Sequence, residues 1–382
     1  MGTGTAPFHT RLSQSLISIV LILFLMKQAE TIFIPLSFAG LLSIILITPC
    51  NYLEKKGLTR GIAALISLLI AIIFVTTILY FISSQIISFK KDMPAVISQF
   101  TDVLDEIQVW IKHRFHMTST GMKQLLNSAK DQTLSSTGSI VGSTVSSLST
   151  TLLYAVLIPI YTFLLLLYRG LVVRFLVRCF TEEHTSKVYD ILEKTRHVIK
   201  SYILGLLIEM AIVAFLNCAG FFILGVKYAL LLGVIAALLN LIPYLGIFTA
   251  LILSALITFT TNTPGTVLGL VIVLVSVHLL DSNILLPQVV GSKVRMNALA
   301  TILGVVVGSM VWGIPGMFLA VPIVAILKVI FDGVEGMGPW GILLGDDRSE
   351  ATGTHKRSFL FFWKKKVKPS EEEKLIVDEK EE

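Results

Sequence analysis

Apolar residues run in long blocks along this chain, parted by short polar stretches, where a soluble domain would alternate polar and apolar faces. A helix that crosses a bilayer needs about 20 predominantly apolar residues. On that measure residues 12–26, 31–49, 62–82, 152–168, 203–224 and 267–286 read as six full spans, the first of them short. Two further blocks, 228–259 and 298–331, are longer than a single crossing. Hydropathy alone therefore counts eight spans. The stretch 85–148 differs: charges mix with apolar residues at helical spacing, as at Val103, Ile107, Trp110 and Ile111. It predicts amphipathic, extracytoplasmic helix lying outside the bilayer core. Its end carries Ser135, Ser136, Ser139, Ser143, Ser146 and Ser147. Those serines are read either as a close-packing helix surface or as a flexible linker.

The two long blocks are interrupted at their centres. The first contains Ile242-Pro243 with Gly246, the second Gly313-Ile314-Pro315-Gly316. Proline withholds a backbone donor and glycine frees the chain to reverse. Each half-helix of about 12–15 residues is too short to cross. A block is then either one kinked span or a re-entrant hairpin. Loop charge chooses between them. With kinked spans, the loop holding Lys293 and Arg295 falls outside; with two hairpins it falls in the cytoplasm, where basic loops belong. Hairpins are therefore preferred, entering from opposite faces. Gly233–Ala236 and Gly304–Val307 share a weak Gly-Val pattern before the two breaks, as expected of paired interrupted segments at a transporter's site.

Composition agrees. The 382 residues are 54% hydrophobic and only 15% charged, with a mean hydropathy of +0.82. Soluble domains carry about 25% charged residues. The net charge of +6 and pI of about 9.1 do not imply nucleic acid. The basic residues sit in loops, as in Lys55-Lys56 with Arg60, and after residue 168 at Arg169, Arg174, Arg178 and Lys187. Those loops are expected to be cytoplasmic. Cys50, Cys179 and Cys218 are scattered, which excludes a disulfide framework and a zinc site. No cleavable signal pattern follows Arg11, so the first apolar run reads as a span. There is no phosphate-binding G-x-x-x-x-G-K-[ST] loop, no H-E-x-x-H and no G-x-S-x-G. An ATP-driven pump and an intramembrane enzyme are thus excluded. No cofactor or metal is expected.

Charged groups at membrane depth are costly and tend to mark pathways. Glu209 lies inside the fifth span. Asp281 lies near the end of the sixth, with His278 a turn earlier and Asn283 and Gln288 close behind. Asn240 precedes the first break, and Arg295 and Asn297 precede the second block. Glu209 and Asp281 read as carriers of a proton or a cation. Their bland reading is a helix cap, a pair with Arg295, or an interhelical hydrogen bond. Asn217 reads as interhelical glue.

At these residues the chain resembles the autoinducer-2 exporter family, the PerM-type permeases, over about 12–331. The resemblance rests on Tyr202-Ile203-Leu204-Gly205, on Asn240 to Gly246, on Asp281 to Gly291, and on Gly313-Ile314-Pro315-Gly316 with Ala320-Val321-Pro322. Leu206, Ile247 and the pair Asn297-Ala298 depart from the family pattern. The resemblance implies an all-α integral membrane protein of the bacterial inner membrane with cytoplasmic termini. It also implies a secondary transporter that exports a small quorum-sensing molecule, or a sodium or lithium/proton antiporter. A non-transporting scaffold built on 85–147 is the third reading. The expected site lies between the broken segments and draws on Glu209, Asn240, Pro243, Tyr244, Gly246, Asp281, Asn283, Gln288, Arg295, Asn297 and Pro315. The expected parts are 1–84 (three spans), 85–148 (amphipathic), 149–200 (fourth span and cytoplasmic helix), 201–331 (transport core) and 332–382 (polar tail). Expected partners are the lipid bilayer and a small-molecule or monovalent cation substrate, with homo-oligomers left open and no nucleic acid.

Overall fold

The computed structural model describes residues 8–115, 150–242, 245–291 and 296–345. Their regular structure is helical, apart from a lone bridge between Met296 and Gly345. The helices are α1 (Phe8–Gln28), α2 (Glu30–Lys55), α3 (Arg60–Phe115), α4 (Thr150–Leu167), α5 (Arg169–Arg178), α6 (Thr185–Ile223), α7 (Ala229–Leu239), α8 (Leu245–Thr261), α9 (Pro264–Leu280), α10 (Ala298–Gly333) and α11 (Gly338–Leu344). After α9 the chain loosens into a π-helical stretch, Asp281–Gly291. Among the described residues six helical stretches are long and apolar enough to cross a membrane by length and composition: α2, α3, α4, α6, α9 with its extension, and α10, the last of them broken at its centre. Their outer faces stay bare: Ile73 and Phe222 are 64% and 75% exposed. In water such faces would be costly, whereas in lipid they are solvated.

The expected boundaries at 84/85 and 200/201 fall deep inside continuous helices, and the one at 331/332 falls two residues before the end of α10. The third span does not stop near 84. It runs on as α3, 56 residues long and about 84 Å from end to end. The basic segment after 185 and the fifth span are likewise one 39-residue helix, α6. The serine-rich stretch before α4 and the tail after Gly345 lie outside the described residues.

Helices α2, α3 and α4 share a core of Leu46, Cys50, Ala63, Ala64, Leu68 and Leu166. At one end of it Arg169 donates to Asn51 Oδ1 and Glu54 Oε2, both at 2.6 Å. This forked bond ties the start of α5 to the end of α2.

Both long blocks are hairpins. In the first, α7 and α8 run back to back. Asn262, just after α8, donates to the Gly225 carbonyl at 3.1 Å, so the two ends of the hairpin lie together. At the tip Gly246 rests on the Leu239 carbonyl, where a Cβ would collide with backbone. In the second, α10 breaks at Trp312 (φ −132°, ψ 17°) and Gly313 (φ 60°, ψ −136°). Gly308 then faces Gly316, and Gly304 faces Val324 and Ala320. On a straight helix Gly304 and Val324 would be about 30 Å apart. A kinked span is therefore excluded. The reversal is carried by Gly313, in a conformation open essentially to glycine alone, and not by Pro315. That proline sits in the first turn of the returning half, where its missing donor costs nothing.

The hairpins oppose one another along α6. Phe221, near the end of α6, packs with Val226 and Ala229 at the base of the first. Gly333, at the base of the second, abuts Ile191 near the start of α6. Between them Leu241, at the first tip, packs against Val305, Ala320 and Val321 of the second hairpin and Tyr202, Ile203 and Leu206 of α6.

Candidate functional site

Glu209, Val213 and Asn217 recur every fourth residue on α6, so they share one face, and all three are buried. That face meets the tip of the first hairpin. Asn240 is the residue that closes α7, just before the break. Asp281 stands at the junction of α9 and the π-helical stretch, a kind of widening common at functional sites. The three side chains meet. Asn240 Nδ2 donates to Asp281 Oδ2 at 2.9 Å. The Glu209 and Asp281 carboxyl groups lie close enough to act on one another electrostatically, although only 3% and 4% of each residue is exposed.

Beside the pair is a narrow cavity lined by Asn217, Asn240, His278 and Asp281, with Val213, Ala236, Ile247, Ala250, Leu274 and Val277. It leaves about 10 Å³ for the centre of a water-sized occupant. No lysine or arginine lines it among the described residues. Glu209 Oε2, Asp281 Oδ1, Asn217 Oδ1 and His278 Nδ1 are buried without a hydrogen-bond partner. Each such orphan costs about 1–3 kcal/mol. Three of them, on Asp281, Asn217 and His278, belong to residues that line the cavity, and Glu209 stands next to Asp281. The set is rich in oxygen acceptors and suits a proton, a water or a small hard cation.

The remaining expected residues divide. Gly246 is buried at the same tip. Asn283 and Gln288 are exposed, and Asn283 donates to the Leu279 carbonyl at 2.8 Å. Asn297 is a helix cap: it accepts from Ala300 N at 2.7 Å and donates to the Leu343 carbonyl at 2.8 Å. Pro315 belongs to the second tip, which meets α1, where Trp312 Nε1 donates to the Met26 carbonyl at 2.9 Å. Pro243, Tyr244 and Arg295 lie outside the described residues. Asn217 and His278 join the cavity although neither was singled out as a ligand. The signal was spacing: Asn217 lies two turns from Glu209, and His278 one turn from Asp281.

A multi-pass helical protein with opposed broken helices and buried carboxyl groups at one tip has the makings of a membrane transporter. The comparisons agree. The chain belongs to the AI-2E transporter family, whose model, described as "AI-2E family transporter", matches residues 16–336. Among its relatives is a Bacillus subtilis protein named "Putative transport protein YueF", 26% identical and aligned over 79% of this chain and 84% of its own. A Mycobacterium tuberculosis relative, "Putative transport protein MT0215", is 25% identical over 88% of this chain and 92% of its own. "Putative permease PerM" of Escherichia coli is 26% identical over 78% and 85%.

Proposed function

We propose that this membrane transporter exchanges a monovalent cation for protons at the Glu209–Asp281 pair, within a transport core spanning residues 201–331. The carrying observation is two buried, neighbouring carboxyl groups beside a narrow cavity lined by Asp281, Asn217, Asn240 and His278, with no lysine or arginine in its lining among the described residues. A pair holding one proton carries one negative charge. A sodium or lithium ion drawn to the Glu209–Asp281 pair replaces that proton, and the site alternates between the two loads. Asn240 holds Asp281 in place through either load. The working location is the bacterial cytoplasmic membrane, with the termini and the loop holding Lys293 inside, as loop charge favours.

The family description supports a second reading, export of an autoinducer-2-like molecule. One experiment separates them. In proteoliposomes carrying a pH dye, sodium or lithium should drive proton movement. Asp281→Asn or Glu209→Gln should reduce it at least tenfold, with normal protein yield. Undiminished exchange in Asp281→Asn refutes the cation reading. Absence of any cation-driven proton movement, together with Asp281-dependent efflux of labelled signal, selects export instead.

A further inference from the structure

Helix α8 runs from the tip of the first hairpin to its base. Ala250 lines the carboxyl cavity. One and two turns further along the same face come Ser254 and Thr258. They are 1% and 0% exposed, and neither hydroxyl has a partner. That is unusual for this chain. A helical serine or threonine normally returns its proton to the carbonyl of the preceding turn. Thr77, Thr162 and Thr261 do so here, at 2.7–3.0 Å. Ser67, in the α2–α3 region, is the other described buried hydroxyl without a partner. The neighbouring helices show the same trend. Away from the carboxyl pair and toward the hairpin base, α6 offers the orphan Asn217 Oδ1 and α9 the orphan His278 Nδ1. Past them the interior closes with Phe221, Leu232 and Leu270, each 0% exposed.

We infer that Ser254 and Thr258 are steps of a water- and cation-conducting path from the carboxyl pair to the base of the first hairpin, closed in this structure by Phe221 and Leu270. The inference rests on the carboxyl pair being the ion site. In the closed form each hydroxyl forgoes a hydrogen bond. In the open form water or a dehydrating cation supplies it. The hairpin base, clasped by Asn262 to Gly225 and to Lys227 N, is then the mouth. Movement of Phe221 out of the core opens it.

The test is cysteine accessibility, which needs no knowledge of the cargo. Cys50, Cys179 and Cys218 are first replaced by alanine, with exchange retained. Single cysteines are then placed at Ser254, at Thr258 and at exposed Gly265, where an added Cβ meets only Thr263 Oγ1 at 3.9 Å. Intact protein in vesicles is treated with a small cationic thiol reagent. The path requires labelling of S254C and T258C from the same side as G265C, with the two rates raised at least fivefold by Phe221→Ala. Saturating sodium or lithium should slow S254C more than G265C. Labelling of G265C alone, even with Phe221→Ala, overturns the path. Labelling at S254C and T258C without any effect of Asp281→Asn on exchange would keep the path and reject the ion site.

Discussion

Asp281 faces a carboxyl group and an amide donor, and keeps one oxygen unpartnered. Its partner Asn240 is therefore more than a helix cap. Asn240→Leu should leave a buried carboxyl oxygen without its donor, lowering stability by about 1–3 kcal/mol. Thermal unfolding in detergent checks this, and unfolding indistinguishable from wild type would count against the bond. Glu209, Asn240 and Asp281 were legible in the sequence because polar groups inside apolar runs are rare and expensive. Asn217 and His278 were harder, since an asparagine in a membrane helix is more often glue and a histidine near a span end more often faces water. Asn297 misled for a related reason. Its polarity at the start of a long block serves the α10 backbone through Ala300 N, not the cavity.

At the scale of the element, the breaks in both blocks were legible and their mechanics only partly so. Proline marked the second break, but the reversal resides in Gly313. The reason is local: a proline in the first turn of a helix is harmless, whereas φ 60° with ψ −136° excludes a side chain. Gly313→Ala should cost about 1–3 kcal/mol, read as a lowered melting temperature, while Pro315→Ala should cost less than Gly313→Ala. The reverse order would place the turn at Pro315. Inside the same hairpin, Gly308→Val would drive a side chain into the Gly316 carbonyl. A loss of about 1–3 kcal/mol is expected from such overpacking, and an unchanged melting temperature would contradict the close approach. The continuation of α3 and α6 beyond their apolar runs was not legible. Hydropathy changes where the solvent changes, but a helix continues wherever no breaker or cap stops it.

Across the molecule, α6 is the shared strut. One end of it packs on the base of the first hairpin and the other on the base of the second, with the carboxyl pair between. The second tip is held by α1, through Trp312 to the Met26 carbonyl and Lys27 to the Met310 carbonyl. Two hairpins that open toward opposite ends of one helix can expose a fixed site alternately, by small movements of either one. An exchange site of this kind must trade a proton for a cation at the buried pair. The direct measurement is proton release from purified protein in weakly buffered detergent solution on adding sodium or lithium chloride, with choline chloride as control. Release of about one proton per chain is expected, since a cation ligand site gives up its protons on binding, and Asp281→Asn should release none. No release from the wild type, or equal release from Asp281→Asn, would contradict it.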